Sequence, residues 1–334
     1  MSQPASILNA AFSRPPILDV SGLLSDDRAR RTRVAREMRQ ICEDLGFLYI
    51  SGHGVPEALI ADAFAASKEF HALPLDAKMR LKMNAAHRGY MPLATSTIVT
   101  SSVATVRKPN LSESLMVMHE LPADDPGLLA GEPLQGLNQW PAELPGFRER
   151  ILAYNDAVEA LARRLTMGIA LAFDLPPDWF APYFQRPTTW LRLLHYPPQP
   201  PESPDDQFGS APHTDYGFLT ILAQDDSGGL EVRARDGGWI PAPPTPGTFV
   251  VNVADILMRW TNGILSSTPH RVRNLSGRDR YSLPFFYDPD MKSLVAPLPG
   301  LESAAQWTPV TFGDYVMERL DKNYAYRQPA GRQA

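Results

Sequence analysis

Apolar positions fall into two textures along this chain. In the first half they recur three or four residues apart, the spacing of one helix face. Val34, Met38, Ile41, Cys42 and Leu45 predict a helix over 28–45. Its Arg-rich opposite face reads as solvated. Ser25-Asp26-Asp27 offers a cap at its start, and Gly46 stops it. Leu59, Ile60, Ala63, Phe64 and Phe70 predict a second helix over 57–72, and a short one follows Leu73-Pro74. Ile151, Leu152, Val158, Leu161, Leu165, Ile169 and Phe173 predict the longest, over 147–173, closed by Leu175-Pro176-Pro177. Between these lie a strand and turn in 15–24 and a buried strand at Phe47-Leu48-Tyr49-Ile50. His53, flanked by Gly52 and Gly54, reads as part of a tight turn. Residues 94–106 read as a long loop, 110–121 as a strand, and 122–146 as a loop anchored by Trp140.

After a helical turn or two in 178–184 the texture changes. Short β-rich runs at 189–196, 218–223, 230–232, 238–241, 248–253, 270–273 and 281–287 are separated by Pro, Gly and Asp clusters. Many short strands with such punctuation argue for a sandwich or closed barrel. A helix over 311–323 closes the pattern. The expected organisation is α+β: an N-terminal helical region with a few strands (1–185), a β core (186–300), and a C-terminal helix and tail (301–334).

Composition narrows the function classes. The 334 residues carry a net charge of −5, where a nucleic-acid binder would show a basic stripe. No apolar run approaches the ~20 residues of a membrane span, and no secretory leader is visible at the start. The single cysteine, Cys42, forbids an intrachain disulfide and fits a reducing, cytoplasmic setting. The expectation is a protein with a small-molecule partner, acting as monomer or homodimer without nucleic acid or membrane.

Candidate chemistry centres on Ala211-Pro212-His213-Thr214-Asp215, at the mouth of an apolar run. In an extended segment, side chains two apart point to the same face, so His213 and Asp215 can reach a common point. His270 precedes Arg271-Val272-Arg273 far downstream. A β core can return that strand beside the first. Two His and one carboxylate are the facial triad that suits non-haem Fe(II). On spacing alone, coincidence of three unrelated polar residues stays open. Arg280 and Ser282 are again two apart, and a guanidinium suits a carboxylate; an exposed ion pair is the alternative.

These motifs resemble the isopenicillin N synthase-like family of iron(II)- and 2-oxoglutarate-dependent dioxygenases. The resemblance spans nearly the whole length: Pro16 to Ser21, Gly46 to Val55, Phe70 to Lys78, Arg88-Gly89-Tyr90, His213-Thr214-Asp215, His270-Arg271-Val272 and Arg280-x-Ser282. It implies a double-stranded β-helix (jelly-roll) core buttressed by N-terminal helices and a C-terminal helix. It implies that His213, Asp215 and His270 hold the iron, and that Arg280, Ser282 and Tyr196 bind 2-oxoglutarate. Fe(II), 2-oxoglutarate and O2, with ascorbate as reductant in vitro, are the implied cofactors. The implied reaction oxidises an unactivated C–H bond of a small molecule and releases succinate and CO2. Hydroxylation is the leading outcome; desaturation, demethylation and ring formation are others. One departure stands out. Many members have Asn two residues before the Tyr, where this chain has Leu194, so His195 or Arg192 is a candidate replacement.

Substrate contacts are expected among Tyr90, the 95–105 loop, Arg107, Met116, Met118, Phe285 and Tyr287; Trp260 reads as core. Two other readings are a same-fold oxygenase that does not consume 2-oxoglutarate and a non-catalytic small-molecule-binding protein.

Overall fold

The computed structural model describes residues 13–200 and 202–327. Chain order begins β1 (Ile17–Asp19), α1 (Arg28–Asp44), β2 (Phe47–Ser51), α2 (Glu57–His71), α3 (Leu75–Met79), β3 (Gly89–Met91), β4 (Glu113–Met118), α4 (Pro126–Leu129) and α5 (Phe147–Ala172). It continues with β5 (Thr188–Tyr196), β6 (Ser210–His213), β7 (Leu219–Gln224), β8 (Leu230–Arg233), β9 (Trp239–Pro241), β10 (Phe249–Val253) and α6 (Asp255–Trp260). Last come β11 (His270–Val272), β12 (Arg280–Asp288), β13 (Leu294–Val295), β14 (Val310–Thr311) and α7 (Phe312–Asn323).

The helices form where the apolar spacing says they should. Asp27 caps α1 by accepting a 2.8 Å bond from the Ala29 amide. Gly46 ends that segment at φ 68°, where a Cβ would sit 2.0 Å from the Ser266 carbonyl oxygen, so only glycine fits. Helix α5 buries Phe147, Ile151, Tyr154, Val158, Leu161, Leu165 and Ile169 along one stripe. Each such side chain stabilises the fold by about 1.5–3 kcal/mol relative to exposure. Residues of α1, α2 and α5 share one apolar core with one face of the main sheet.

That sheet has eight strands in the order β1-β2-β10-β7-β12-β5-β4-β3. Among the described residues β1 and β2 pair in parallel, and the other pairings in this sheet are antiparallel. Strands from the first half therefore join the same hydrogen-bonded sheet as those from the second. A smaller sheet, β6-β11-β8-β9, faces it. Phe47, Leu194, Tyr196 and Val250 of the large sheet form a second core with Leu230, Val232 and Val272 of the small one. Sandwiched between helices and the small sheet, β10 is buried on both faces, which is why Phe249-Val250-Val251 reads as a continuous apolar run.

Several elements go beyond the sequence expectation. Helices α4 and α6, and strands β3, β13 and β14, lie in segments expected to be irregular or left unassigned. They are too short for a period to declare itself. The strand expected over 110–121 is the shorter Glu113–Met118. His53 is structural: its Nδ1 accepts from the Val55 amide at 3.1 Å, and its ring packs edge-on against Phe249. Trp260 is core, packed against Phe180, Tyr183 and Phe218.

Candidate metal centre and adjoining cavity

His213 ends β6 and pairs in register with His270 at the start of β11, so two rings from distant sequence stand side by side. Their centroids are 4.3 Å apart. Asp215 lies just past the end of β6, its backbone carbonyl accepting from the Asp255 amide at the start of α6 at 2.9 Å. Its Oδ1 lies 3.6 Å from His213 Nε2 and 3.7 Å from His270 Nε2. One ligand atom from each residue lies within 4.8 Å of the others.

Each donor is set up by a bond on its far side. His213 Nδ1–H donates to the Ala211 carbonyl at 2.8 Å, and His270 Nδ1–H to the Thr268 carbonyl at 3.2 Å. Both Nε2 lone pairs then face inward. Asp215 Oδ2 accepts from Thr220 Oγ1 at 2.5 Å and Asn252 Nδ2 at 2.8 Å, leaving Oδ1 towards the imidazoles. Burial, then the neighbouring His270, pushes His213 down to about 4, which keeps it neutral and able to ligate. Burial works against Asp215 ionising. The two imidazoles and its two hydrogen bonds outweigh that and hold it below the ordinary carboxylate range. Two imidazoles and one carboxylate, with no fourth donor in the group among the described residues, suit Fe(II) better than a closed structural site.

Beside this trio lies a cavity lined by both sheets. On β12 its lining residues are Arg280, Ser282, Pro284, Phe286 and Asp288; on β5 they are Trp190, Arg192, Leu194 and Tyr196. Each set alternates, as side chains on one face of a strand must. Arg280, only 1% exposed, donates through Nε to the Gly228 carbonyl at 2.7 Å and through Nη1 to Ser282 Oγ at 3.2 Å. Its guanidinium carbon lies 4.7 Å from the centroid of Tyr196. Its Nη2 is buried and has no partner among the described residues. A buried, unsatisfied cation is costly, and a ligand carboxylate is the chemical complement of this one.

The other expected site residues divide. Met116 lines the cavity, as do Ser96, Thr97 and Ile98 of the 95–105 loop. Tyr90 does not: it pairs with Leu115 on the outer face of β4 and its hydroxyl donates to Glu113. Met118 lies in the core beyond the lining, opposite Trp190. Phe285 and Tyr287 have the wrong parity on β12 and face the helices; Tyr287 stacks on Phe184 at 4.8 Å. Arg107 is exposed in a loop outside the lining. His195 also points outward, to Glu113 at 2.8 Å and Asp279 at 3.0 Å, and cannot stand in for the Asn replaced by Leu194. Arg192 does face the cavity.

Some residues escaped the sequence reading. Thr220 and Asn252 orient Asp215 but look like ordinary strand positions. Asp288 sits in the cavity wall, its Oδ1 accepting from the Phe218 amide at 2.8 Å. Burial, with the charge of Asp215 adding to it, pushes its carboxyl up to about 8, so it stays protonated at neutral pH. Asn323, the last residue of α7, accepts from the Val99 amide at 2.9 Å and donates to Thr100 Oγ1 at 2.8 Å, tying the 95–105 loop beside the cavity. Parity on β12 could have found Asp288; nothing local could have found Asn323.

Comparison with known proteins gives consistent matches. The model of the N-terminal region of a non-haem dioxygenase in morphine synthesis matches residues 15–143, and that of the 2OG-Fe(II) oxygenase superfamily matches 187–289. The 2-oxoglutarate-Fe(II) type oxidoreductase hxnY of Emericella nidulans is 36% identical, over 96% of this chain and 92% of the relative. Homoarginine-6-hydroxylase 2-ODD-C23 of Glycine max is 33% identical, over 94% and 98%. Among solved structures, a full-length Neurospora crassa protein in complex with alpha-KG and thymine superposes with a TM-score of 0.81 at 28% identity, covering 92% of this chain and 96% of that one. JOX2 in complex with 2OG, Fe and JA gives 0.75 at 29% identity, covering 95% and 89%.

Proposed function

We propose, for a chain that belongs to the 2OG-Fe(II) oxygenase superfamily, that His213, Asp215 and His270 are its iron ligands and that Arg280, Ser282 and Tyr196 hold the cosubstrate. The protein is a 2-oxoglutarate-dependent non-haem iron dioxygenase that works with Fe(II), 2-oxoglutarate and O2, with ascorbate as reductant. The observation that carries the residue assignment is the convergence of three ligand atoms within 4.8 Å, beside a buried guanidinium whose Nη2 has no partner among the described residues.

Iron and 2-oxoglutarate together supply oxidative decarboxylation, which yields succinate, CO2 and an oxidant able to take hydrogen from an unactivated C–H bond. The chain's own residues aim and shield that chemistry. The two Nδ1–H bonds fix the imidazole tautomers, while Thr220 and Asn252 fix the Asp215 rotamer. Arg280 gives one end of the cosubstrate a charge-assisted anchor, with Ser282 adding a hydroxyl. Leu194, Leu222, Leu230 and Val272 line the cavity with hydrocarbon that excludes water. The substrate is a small molecule, as for the Neurospora crassa protein with thymine, and hydroxylation is the outcome we expect. Among the described residues no helix is long and apolar enough to cross a membrane; we place the enzyme in the cytoplasm on its cysteine usage, as a monomer or homodimer.

The test is turnover without added substrate. Protein given Fe(II), ascorbate and 2-oxoglutarate should form succinate slowly, and His213→Ala should form none. Equal succinate from both proteins would refute the ligand assignment. Failure of 2-oxoglutarate to bind the anaerobic iron form would favour an oxygenase that does not consume it.

A further inference from the structure

Accepting the oxygenase reading, the cavity wall holds a second guanidinium that neither the iron ligands nor the cosubstrate grip uses. Arg192 lies on β5, four residues from Tyr196, which puts their Cα atoms ~13 Å apart along the strand. Leu194 stands between them on the same face. Asp215 is anchored to β7 and β10. In the sheet order β5 is two strands from β7, ~10 Å across the sheet. Arg192 thus stands to one side of both the metal trio and the Arg280 anchor.

Its bonding is incomplete. Nε donates to Ser114 Oγ at 2.9 Å, and Nη2 has only the Met91 thioether at 3.7 Å. Among the described residues no carboxylate pairs with it. The acid that lines the same cavity outside the iron site, Asp288, is taken up by the Phe218 amide. Around Arg192 the wall is apolar and aromatic: Met116 directly across on β4, Trp190 next on its own face, and Phe286 opposite Trp190. Trp190 Nε1–H is buried without a partner among the described residues. His87, which packs edge-on against Trp190, also lines the cavity.

We propose that Arg192 selects the substrate: a small ring-bearing carboxylic acid, whose carboxylate takes the guanidinium and whose ring lies against Met116, Trp190 and Phe286. A planar monoanion matches one guanidinium fork. A phosphate would call for further cations, and among the lining residues the other basic side chain of that strength is Arg280.

Calorimetry on the full chain, loaded with Fe(II) and 2-oxoglutarate under nitrogen, tests this. The probes are benzoate, phenylacetate and cyclohexanecarboxylate, each beside its amide. At least one acid should bind about tenfold or more tightly than its amide, the worth of a charge-assisted pair. Arg192→Met should abolish that preference and leave amide affinity unchanged; Arg192→Lys should keep part of it. The iron–2-oxoglutarate charge-transfer titration of Arg192→Met should match wild type. Acids no tighter than amides in every pair, or no binding of any probe, overturns the proposal. So does a joint loss of acid and 2-oxoglutarate binding in Arg192→Met, which would assign Arg192 to the cosubstrate. A wild type that fails to bind 2-oxoglutarate defeats the oxygenase reading instead, and the acid–amide comparison still reads Arg192 by itself.

Discussion

On the outer face of β4, β5 and β12, Glu113 takes hydrogen bonds on both oxygens: Lys78 Nζ at 2.8 Å and the Tyr90 hydroxyl on Oε2, His195 Nδ1 at 2.8 Å on Oε1. On the inner face of the same sheet, Arg280 Nη2 is buried with no partner among the described residues. Both faces carry charge into an apolar interior, and the outer cluster closes on itself. The difference teaches where to look for function. A buried charge that is satisfied by its own chain needs no ligand; one left open beside a cavity is a place where a ligand completes the structure.

The largest way to break this comparison is Arg280→Met. If Nη2 waits for a carboxylate, 2-oxoglutarate affinity should fall by roughly 100-fold, the loss of about 3 kcal/mol of charge-assisted bonding. The thermal midpoint of the protein without ligand should hardly move, since the variant also removes an unsatisfied buried cation. Anaerobic titration and thermal melting of one sample read both. A collapsed midpoint with unchanged affinity would mean that Arg280 is structural.

The outer cluster should behave oppositely. Glu113→Gln leaves Lys78 buried without its counter-charge, and should cost about 3 kcal/mol in urea unfolding while leaving 2-oxoglutarate affinity unchanged. The acid dependence follows by linkage. Burial opposes ionisation of Glu113, but the bonds from His195, Lys78 and Tyr90 prevail and hold its carboxyl down to about 2. Its contribution is therefore complete above the unfolded carboxyl range near pH 4.5 and is lost as pH falls from there towards 2. Glu113→Gln should lack that acid-sensitive part.

How far the sequence carried this picture depends on residue and range. His213-x-Asp215 and Arg280-x-Ser282 were legible because a strand's period of two needs only local information. The same period, continued along β12, leads to Pro284, Phe286 and Asp288, whereas aromaticity alone points to Phe285 and Tyr287. Tyr90 and Met118 misled for a different reason. An aromatic or Met in a strand looks the same whether it meets a cavity or a core, and only the pairing of β3 with β4 and the end of the cavity decide it. Asn323 and Asn252 act on partners over 30 residues away, which no local pattern can report.

Asp288 offers a subtler probe of the inner face. Its carboxyl is raised to about 8 by burial, with Asp215 adding to the effect, so folding favours its protonated form. Stability from this group is full below the ordinary Asp range near 3.8 and drains away as pH climbs towards 8. The slope is at most about 1.4 kcal/mol per pH unit. Asp288→Asn keeps an acceptor for the Phe218 amide and has no proton to lose. In metal-free protein its melting midpoint should gain on wild type from pH 5.5 to pH 7.5. Parallel midpoints across that range would show that Asp288 ionises without penalty.

Leu194 gives the smallest expected effect and the sharpest reading of the inner face. It pairs with Ser282 across β5 and β12 and lines the cavity where many members of the family carry Asn. An amide there would face Ser282 across the strand pair and, in the proposed site, the cosubstrate, whereas leucine offers only hydrocarbon. Leu194→Asn should tighten 2-oxoglutarate by about fivefold, near 1 kcal/mol for one added hydrogen bond. It should also lower the melting midpoint of the ligand-free protein, because a polar group is then buried unpaired. 2-Oxoglutarate would restore more of that midpoint in the variant than in wild type. If the variant instead binds 2-oxoglutarate more weakly, leucine is there to keep water from the cosubstrate, and the inner face has met the missing bond by exclusion.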